Sequence, residues 1–196
     1  MVSINKIKFY ILLVVLTFFI TILNTPQNYN CNKDENFTSL YRFEKIKENS
    51  LIISGPISIN DAQDWIDLKN EGKCVGEGTQ IDPYIISNLK INGNGLICIA
   101  ISQVRDVYYK ILNCELYNGS YGIKITYADM GDIIGNNISY NTYGIDTFIS
   151  PPYPTNKLIS DNFISHNEDG GITCIPLYDC EISNNIITYN GHHGIH

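Results

Sequence analysis

From residue 88 onward the sequence repeats itself, and this periodicity restricts the fold more than any other feature of the chain. Five copies of one short segment begin 24, 22, 27 and 23 residues apart. Periods of about 20 to 50 residues are typical of stacked supersecondary units, each of which needs its neighbours to bury an apolar face. The copies are CIAISQ at Cys98, GIKITY at Gly122, GIDTFI at Gly144, GITCIP at Gly171 and GIH at Gly194.

The content of each repeat indicates short strands and tight turns. Apolar residues alternate in pairs, Asn or Gly separates the pairs, and no stretch of a repeat has helical periodicity. Three short strands and three turns in roughly 22 to 25 residues make one coil of a parallel β-helix. A leucine-rich repeat of similar length needs a Leu-x-x-Leu-x-Leu frame, which the sequence lacks. The sequence therefore predicts an all-β solenoid.

Side-chain alternation predicts what fills the interior of this solenoid. Successive strand residues point to opposite faces, so Ile123 and Ile125, like Ile172 and Cys174, are expected to point inward and stack between coils. Asparagine recurs at the turns, where its side chain can hydrogen-bond nearby backbone. Two internal amide ladders are therefore predicted, the first from Asn137, Asn162 and Asn185 and the second from Asn141, Asn167 and Asn190.

The chain ahead of the repeats divides into three segments. Residues 1–25 place two lysines before an uncharged apolar run from Phe9 to Leu23, which suits a signal-peptide core better than a spanning helix of roughly 20 residues. No small-x-small cleavage site follows, so a signal peptide and a retained membrane anchor both stay open, and either predicts an extracytoplasmic domain. Residues 26–50 predict a polar linker. Residues 51–87 predict a cap with one helix in NDAQDWIDLKNEG, whose N-cap is Asn60 or Asp61 and whose apolar face is Ala62, Trp65, Ile66 and Leu68.

The net charge restricts the class of partner that the chain can bind, and the cysteines restrict the metal and redox motifs that it can contain. Thirteen Lys and Arg against twenty Asp and Glu leave a net charge of −7, which argues against nucleic acid because phosphate binding needs clustered positive charge. The six cysteines permit disulfides in an exported chain, and a Cys74–Cys98 bridge would fix the cap to the first coil. The absence of any CxxC spacing excludes a zinc ribbon or a thioredoxin-like motif.

The repeat N-x-I-x-x-N followed by G-I resembles the right-handed parallel β-helix proteins of the pectate-lyase-like superfamily. It is most similar to the NosD-type group, the carbohydrate-binding and sugar-hydrolase repeats. GEGTQIDPYIISNLKING, from Gly76 to Gly93, resembles the segment that leads into the first coil in exported archaeal and bacterial members. The resemblance covers residues 51–196 and implies a right-handed helix of about four to five coils behind a short capping helix. It implies no single activity, because this fold hosts many.

Outward positions after each Gly-Ile pair predict a binding face. One strand ladder places Lys124, Asp146, Thr173 and His196 side by side, and Tyr153 in the insertion FISPPYP would add an aromatic platform. This polar stripe suits a polysaccharide or another cell-surface component. We predict no catalytic residue, because glycoside hydrolysis needs two carboxylates and the ladder supplies Asp146. No cofactor is predicted either, since neither calcium nor copper finds a supporting ligand pattern.

Three functions stay open at this point. The first is an exported or membrane-tethered module of the cell surface that binds carbohydrate or has a structural role. The alternatives implied by the resemblance are a polysaccharide lyase or glycoside hydrolase, and a NosD-like role in metal-centre maturation. His192, His193 and His196 are candidate metal ligands, although the repeat accounts for the first two as residues of a variable surface turn. The sequence stops two residues into a strand, which predicts a truncated array or a partner stacked on its last coil.

Overall fold

The computed structural model describes residues 51–128, 130–148, 157–175 and 180–196, which form a parallel β-solenoid preceded by one helix. Three sheets, S1, S2 and S3, make its sides. S1 contains β1 (Ile52–Ser54), β5 (Leu89–Asn92), β8 (Glu115–Tyr117), β11 (Asn137–Ser139), β14 (Phe163–Ser165) and β17 (Ile186–Thr188). S2 contains β2 (Ile57–Ile59), β6 (Ile99–Ser102), β9 (Tyr121–Thr126), β12 (Tyr143–Phe148) and β15 (Ile172–Ile175). S3 contains β3 (Cys74–Val75), β4 (Tyr84–Ser87), β7 (Tyr108–Leu112), β10 (Met130–Ile134), β13 (Lys157–Ser160) and β16 (Cys180–Ser183).

Each strand pairs with the equivalent strand of the next coil. All of the described pairings are parallel except that of β3 with β4, which is antiparallel. Four complete coils follow one another, β4–β6, β7–β9, β10–β12 and β13–β15, with partial coils on either side. Hydrogen bonds therefore run between coils, as the repeat predicted, and the all-β solenoid is confirmed.

Stacks of isoleucine fill the interior. In S2 the register aligns Ile99 with Ile123, then with Ile145 and Ile172, and all four are buried. Ile111 and Ile133 continue the same pattern in S3. Burying one such side chain contributes about 1.5–3 kcal/mol, and a β-branched residue also fits the pleated strand. The inward orientation predicted for Ile123, Ile125, Ile172 and Cys174 is confirmed.

Two columns of buried and partly buried asparagine stack at the corners on either side of S1. Asn162 shows the pattern: its Nδ2 donates to Ile133 O and to Asn185 Oδ1, both at 2.9 Å, and its Oδ1 accepts from the backbone N of Asn136 at 2.9 Å. Asn141, Asn167 and Asn190 repeat these contacts at the next corner, so the second predicted ladder is confirmed. Each amide thus saturates backbone groups that the turn leaves without strand partners.

The first ladder runs through Asn136 rather than the predicted Asn137. Asn136 is fully buried, and its Oδ1 accepts from the backbone N of Cys114 at 2.9 Å. Asn137 is the first residue of β11, and its buried Oδ1 has no hydrogen-bond partner among the described residues. The left-handed conformation falls on the residue before each ladder amide, such as Gly135 and Asp161, which shifts the inward position by one.

A single helix, α1 (Ala62–Asn70), caps the described coils. Asp61 is the N-cap and accepts from the backbone N of Gln63 and Asp64. Gly72 ends the helix at φ +72°, with Lys73 N bonded to Leu68 O at 3.1 Å. α1 packs against β2 and β3, the first strands of S2 and S3. Trp65 and Leu68 are its buried residues, whereas Ile66 and Ala62 are exposed, which corrects the predicted apolar face.

Trp65 anchors the helix to the first coils. Its ring stacks on that of Tyr84, with centroids 4.5 Å apart and planes 7° apart, and it lies 6.0 Å from the ring of Tyr109. Tyr109 in turn occupies the space above Gly131, where a Cβ would lie 2.1 Å from its ring. This aromatic core closes the lumen next to the cap.

Cys74 and Cys98 form no disulfide, so that prediction was wrong. Cys74 lies in S3, whereas Cys98 lies at the corner before S2, where its Sγ is 3.5 Å from Tyr117 O. The apolar run from Phe9 to Leu23 lies outside the described residues. Among those residues, no helix is long and apolar enough to cross a membrane.

The two adjacent asparagines provide a direct test of the ladder. We expect Asn136→Ala to lower the free energy of unfolding by about 3 kcal/mol, because Cys114 N and Ile111 O lose buried partners. Asn137→Ala should cost less than about 1 kcal/mol, because its amide oxygen has no hydrogen-bond partner to lose in the described part of the chain. Urea unfolding followed by the fluorescence of Trp65, the only tryptophan, measures both. Equal losses from the two variants would contradict the assigned register.

Candidate functional site

Four of the predicted binding residues share one outward-facing row on S2. The register places Lys124 beside Asp146 and Asp146 beside Thr173 on consecutive coils. The bridge between Ile172 and Ile195 brings His196 next to Thr173. We call Lys124, Asp146, Thr173 and His196 the S2 row. Tyr153, the fifth predicted residue, lies outside the described residues.

Two tyrosines flank the S2 row at the start of its strands. The rings of Tyr121 and Tyr143 stack with centroids 4.8 Å and planes 16° apart, and Lys124 Nζ lies 4.2 Å from the centroid of Tyr121. The equivalent position in the next coil is Gly170, where an added Cβ would lie 3.1 Å from the imidazole ring of His193. The sequence analysis did not identify these tyrosines, although Tyr-Gly-Ile occurs at both Tyr121 and Tyr143 and extends the Gly-Ile repeat.

The lysine and the aspartate of the S2 row differ from similar pairs on the other two sheets. Each sheet has one lysine whose register partner in the next coil is acidic. On S1 and S3 the nitrogen and oxygen are 2.7 and 2.9 Å apart, whereas on S2 they are 3.8 Å apart. The pairs are Lys90–Glu115 on S1, Lys110–Asp132 on S3 and Lys124–Asp146 on S2. The S2 pair is therefore loose, and both of its charged groups keep hydrogen-bonding capacity.

Burial makes Asp146 a poorly compensated carboxylate. Desolvation raises its pKa above the ordinary aspartate value, and the attraction of Lys124 offsets only part of that increase. Its side chain is 23% exposed, so the carboxylate is partly shielded from water yet still accessible from the surface. A hydrogen-bond donor from a ligand would stabilise the ionised form.

A second carboxylate, Asp169, joins the tyrosines to the histidines. Tyr143 donates its phenolic hydrogen to Asp169, which raises the pKa of that tyrosine. His192 Nδ1 lies 3.3 Å from Asp169 Oδ1, and the rings of His193 and His196 are 5.1 Å apart. In the described part of the chain, no three His, Cys, Asp or Glu side chains are grouped to hold a metal ion. The histidine metal site is not supported by this geometry and stays a prediction.

A recess also lies on S3, away from the S2 row. It has a volume of about 170 Å³ and lies between Gln80, Tyr108, Lys110, Met130 and Asp132. Sites for small organic ligands usually measure about 300–1,000 Å³. Lys110 and Asp132 also satisfy each other at 2.9 Å. This recess is thus too small, and its charges too well paired, to rival the S2 row.

The comparison with protein families agrees with this architecture. A family model described as a right-handed β-helix region matches residues 66–196, which is 131 of the 196 residues. The chain therefore belongs to the right-handed β-helix family. No curated protein and no solved structure matches the chain. The finer NosD-type grouping stays a prediction.

The pKa of Asp146 predicts how a substitution changes stability with pH. A carboxyl whose folded-state pKa is raised stabilises the fold only while it is protonated, and that contribution is lost as pH rises through the folded pKa. We therefore expect Asp146→Asn to increase the free energy of unfolding at pH 7, and the gain to vanish below about pH 3.9, the ordinary aspartate pKa. Urea unfolding at a series of pH values measures the difference.

Asp132→Asn is the matched control for this prediction. It removes the short 2.9 Å contact with Lys110 and should lower the stability at pH 7 by about 0.5 kcal/mol. A loss of stability at pH 7 in Asp146→Asn as well would show that attraction to Lys124 outweighs burial.

Proposed function

We propose that this protein is an exported or membrane-tethered module of the cell surface that binds carbohydrate along the S2 row. The observation that carries the proposal is the loose Lys124–Asp146 pair, 3.8 Å apart beside the stacked rings of Tyr121 and Tyr143. The equivalent pairs on the other two sheets are closed at 2.7 and 2.9 Å. A pair that served only the fold would be expected to close in the same way.

The chemistry of the S2 row suits a sugar chain. Lys124 offers donors, Asp146 offers acceptors, and Thr173 and His196 offer both. Coils repeat about every 4.8 Å, so equivalent side chains recur at a spacing close to the length of one sugar unit in an extended polysaccharide. The stacked rings of Tyr121 and Tyr143 supply an aromatic surface for the C–H groups of a sugar ring. An extended chain lying parallel to the solenoid axis would meet these groups one after another.

Binding suits the S2 row better than catalysis. Glycoside hydrolysis requires two carboxyl groups on either side of the scissile bond. Among the described residues of the row, Asp146 is the only carboxylate, and the neighbouring Asp169 is engaged by Tyr143 and His192. The side chain of Lys124, which is 35% exposed, contributes a positive charge but not the second carboxyl group that hydrolysis needs. Its positive charge favours a ligand with anionic groups, such as an acidic polysaccharide.

The proposed location outside the cytoplasm rests on the N-terminal segment. Two lysines precede the uncharged run from Phe9 to Leu23, the order that targets a chain to the membrane. Residues 26–50 would then act as a polar tether between that segment and the solenoid.

Two lysine variants test the site. We expect Lys124→Ala to weaken binding to the best ligand in a panel of acidic and neutral polysaccharides at least about tenfold, which corresponds to about 1.4 kcal/mol. Lys90→Ala removes a matched pair on S1, including a lysine that lies over a tyrosine ring, and should change affinity less than about twofold. Isothermal titration on the folded variants measures both affinities.

Other results would contradict the proposal. Failure of every polysaccharide to bind, or equal losses from Lys124→Ala and Lys90→Ala, would rule out the S2 row as the binding surface. Turnover of a polysaccharide that Asp146→Ala abolishes would replace the binding module with a lyase or hydrolase.

A further inference from the structure

The corner between S2 and S3 contains a polar cluster inside the solenoid. Along S2, one inward column reads Ile59, Ile101, Ile125, Thr147 and Cys174 from coil to coil. Along S3, the inward column that faces the same corner reads Tyr84, Tyr109, Gly131, Lys157 and Cys180. Apolar residues of the early coils are thus replaced by a hydroxyl, an ammonium and two thiols in the later ones.

The two thiols of this corner are in direct contact. Cys174 is 2% exposed and hydrogen-bonds with Cys180, which is partly exposed. Lys157, also 2% exposed, donates from Nζ to Ala128 O at 2.8 Å and exerts an attractive field on both sulfurs. The buried Oγ1 of Thr147 lies beside Cys174 and has no hydrogen-bond partner among the described residues. A thiolate at Cys174 would supply the acceptor that this hydroxyl lacks.

These neighbours give the Cys174 thiol a different pKa from the described cysteines that lie outside the pair. The hydrogen bond from Cys180, with smaller contributions from Thr147 and Lys157, lowers the pKa of Cys174 to about 7 against the opposing effect of burial. The pKa of Cys180 is raised, chiefly because it donates to Cys174. Burial raises the pKa of Cys74, Cys98 and Cys114 to about 11, 11 and 12. Of these described cysteines, only Cys174 is therefore expected to be a thiolate to a substantial extent near neutral pH.

We propose that Cys174 and Cys180 form a reactive dithiol that a disulfide-containing oxidant converts into a Cys174–Cys180 disulfide. The bond would join β15 of S2 to β16 of S3 across the corner. This proposal is independent of carbohydrate binding, because both thiols lie on the inward side of the sheets and the S2 row lies on the outward side.

The reaction balances with an external disulfide as the oxidant. Along their hydrogen bond the Cys180 proton passes to the Cys174 thiolate, so that the sulfur of Cys180, the more exposed of the two, becomes the thiolate that attacks the external disulfide. Cys180 becomes a mixed disulfide, and the displaced external thiolate takes the proton back from Cys174 and leaves as a thiol. The Cys174 thiolate then attacks the Cys180 sulfur, and the second external thiol leaves. Two protein thiols are oxidised, and one external disulfide is reduced to two thiols. Lys157 and Thr147 stabilise the attacking thiolate until the new bond forms.

The full-length reduced protein tests the proposal directly. Incubation with oxidised glutathione under native conditions, followed by acid quenching and peptide mapping, should yield a Cys174–Cys180 cross-linked peptide as the principal product. The oxidised protein should melt several degrees higher than the reduced protein, because the bond restricts the unfolded chain. Cys98→Ser, which removes a buried cysteine outside the pair, should give the same product at the same rate.

Variants of the pair and its neighbour separate this reaction from general thiol oxidation. Cys174→Ser should leave a lasting glutathione adduct on Cys180, because the resolving thiolate is gone. Thr147→Val keeps the side-chain shape but removes the hydroxyl, and should slow closure at least about threefold. The proposal fails if the wild-type protein stays reduced, keeps a glutathione adduct, or pairs either cysteine with Cys98 or Cys114. It also fails if Thr147→Val closes at the wild-type rate.

Discussion

Coil-to-coil hydrogen bonding is the constraint on which the rest of this structure depends. Each strand pairs in parallel with its equivalent one coil away, so every side chain lies about 4.8 Å from the residue at the same position of the next coil. Residues at equivalent positions of successive coils are therefore neighbours. Isoleucine stacks on isoleucine, and Asn162 donates to the backbone O of one neighbouring coil and to the side chain of Asn185 in the other. A buried amide is tolerated because the next coil supplies its partner.

This constraint explains why much of the fold could be read from the sequence. Equivalent positions repeat chemically, so the alternation around Ile123 and Ile125 predicted the inward column, and the Gly-Ile spacing predicted the S2 row. The error at Asn137 arose because two asparagines adjoin there and only one can face inward. Constant spacing resolves the choice, since Asn136, Asn162 and Asn185 each precede the second ladder by five residues. The residue before each ladder amide has a left-handed backbone conformation, which determines which asparagine faces inward.

The candidate site could be predicted only in part, because its chemistry depends on distances that a repeat does not encode. The sequence placed Lys124 beside Asp146, and the strand register places Lys90 beside Glu115 in the same manner. Only the structure shows that the second pair closes at 2.7 Å while the first stays at 3.8 Å beside stacked tyrosines. The contact of Cys174 with Cys180 could not be predicted from the repeat for a related reason. These residues belong to different columns, and the repeat aligns residues along columns rather than across a corner.

In a solenoid of this kind, the residues that differ from the rest of their column are therefore the ones that give information beyond the fold. An isoleucine at the position of Thr147 or Cys174 would continue the stack of Ile101 and Ile125 and would bury more apolar surface. The chain instead places at one corner a buried lysine, two thiols and a buried hydroxyl that has no hydrogen-bond partner among the described residues, at a cost in desolvation. Asp146 carries a similar cost on the outer face. Stability alone favours neither substitution, and for this reason we place the proposed reactivity at the corner and the proposed ligand binding on the S2 row.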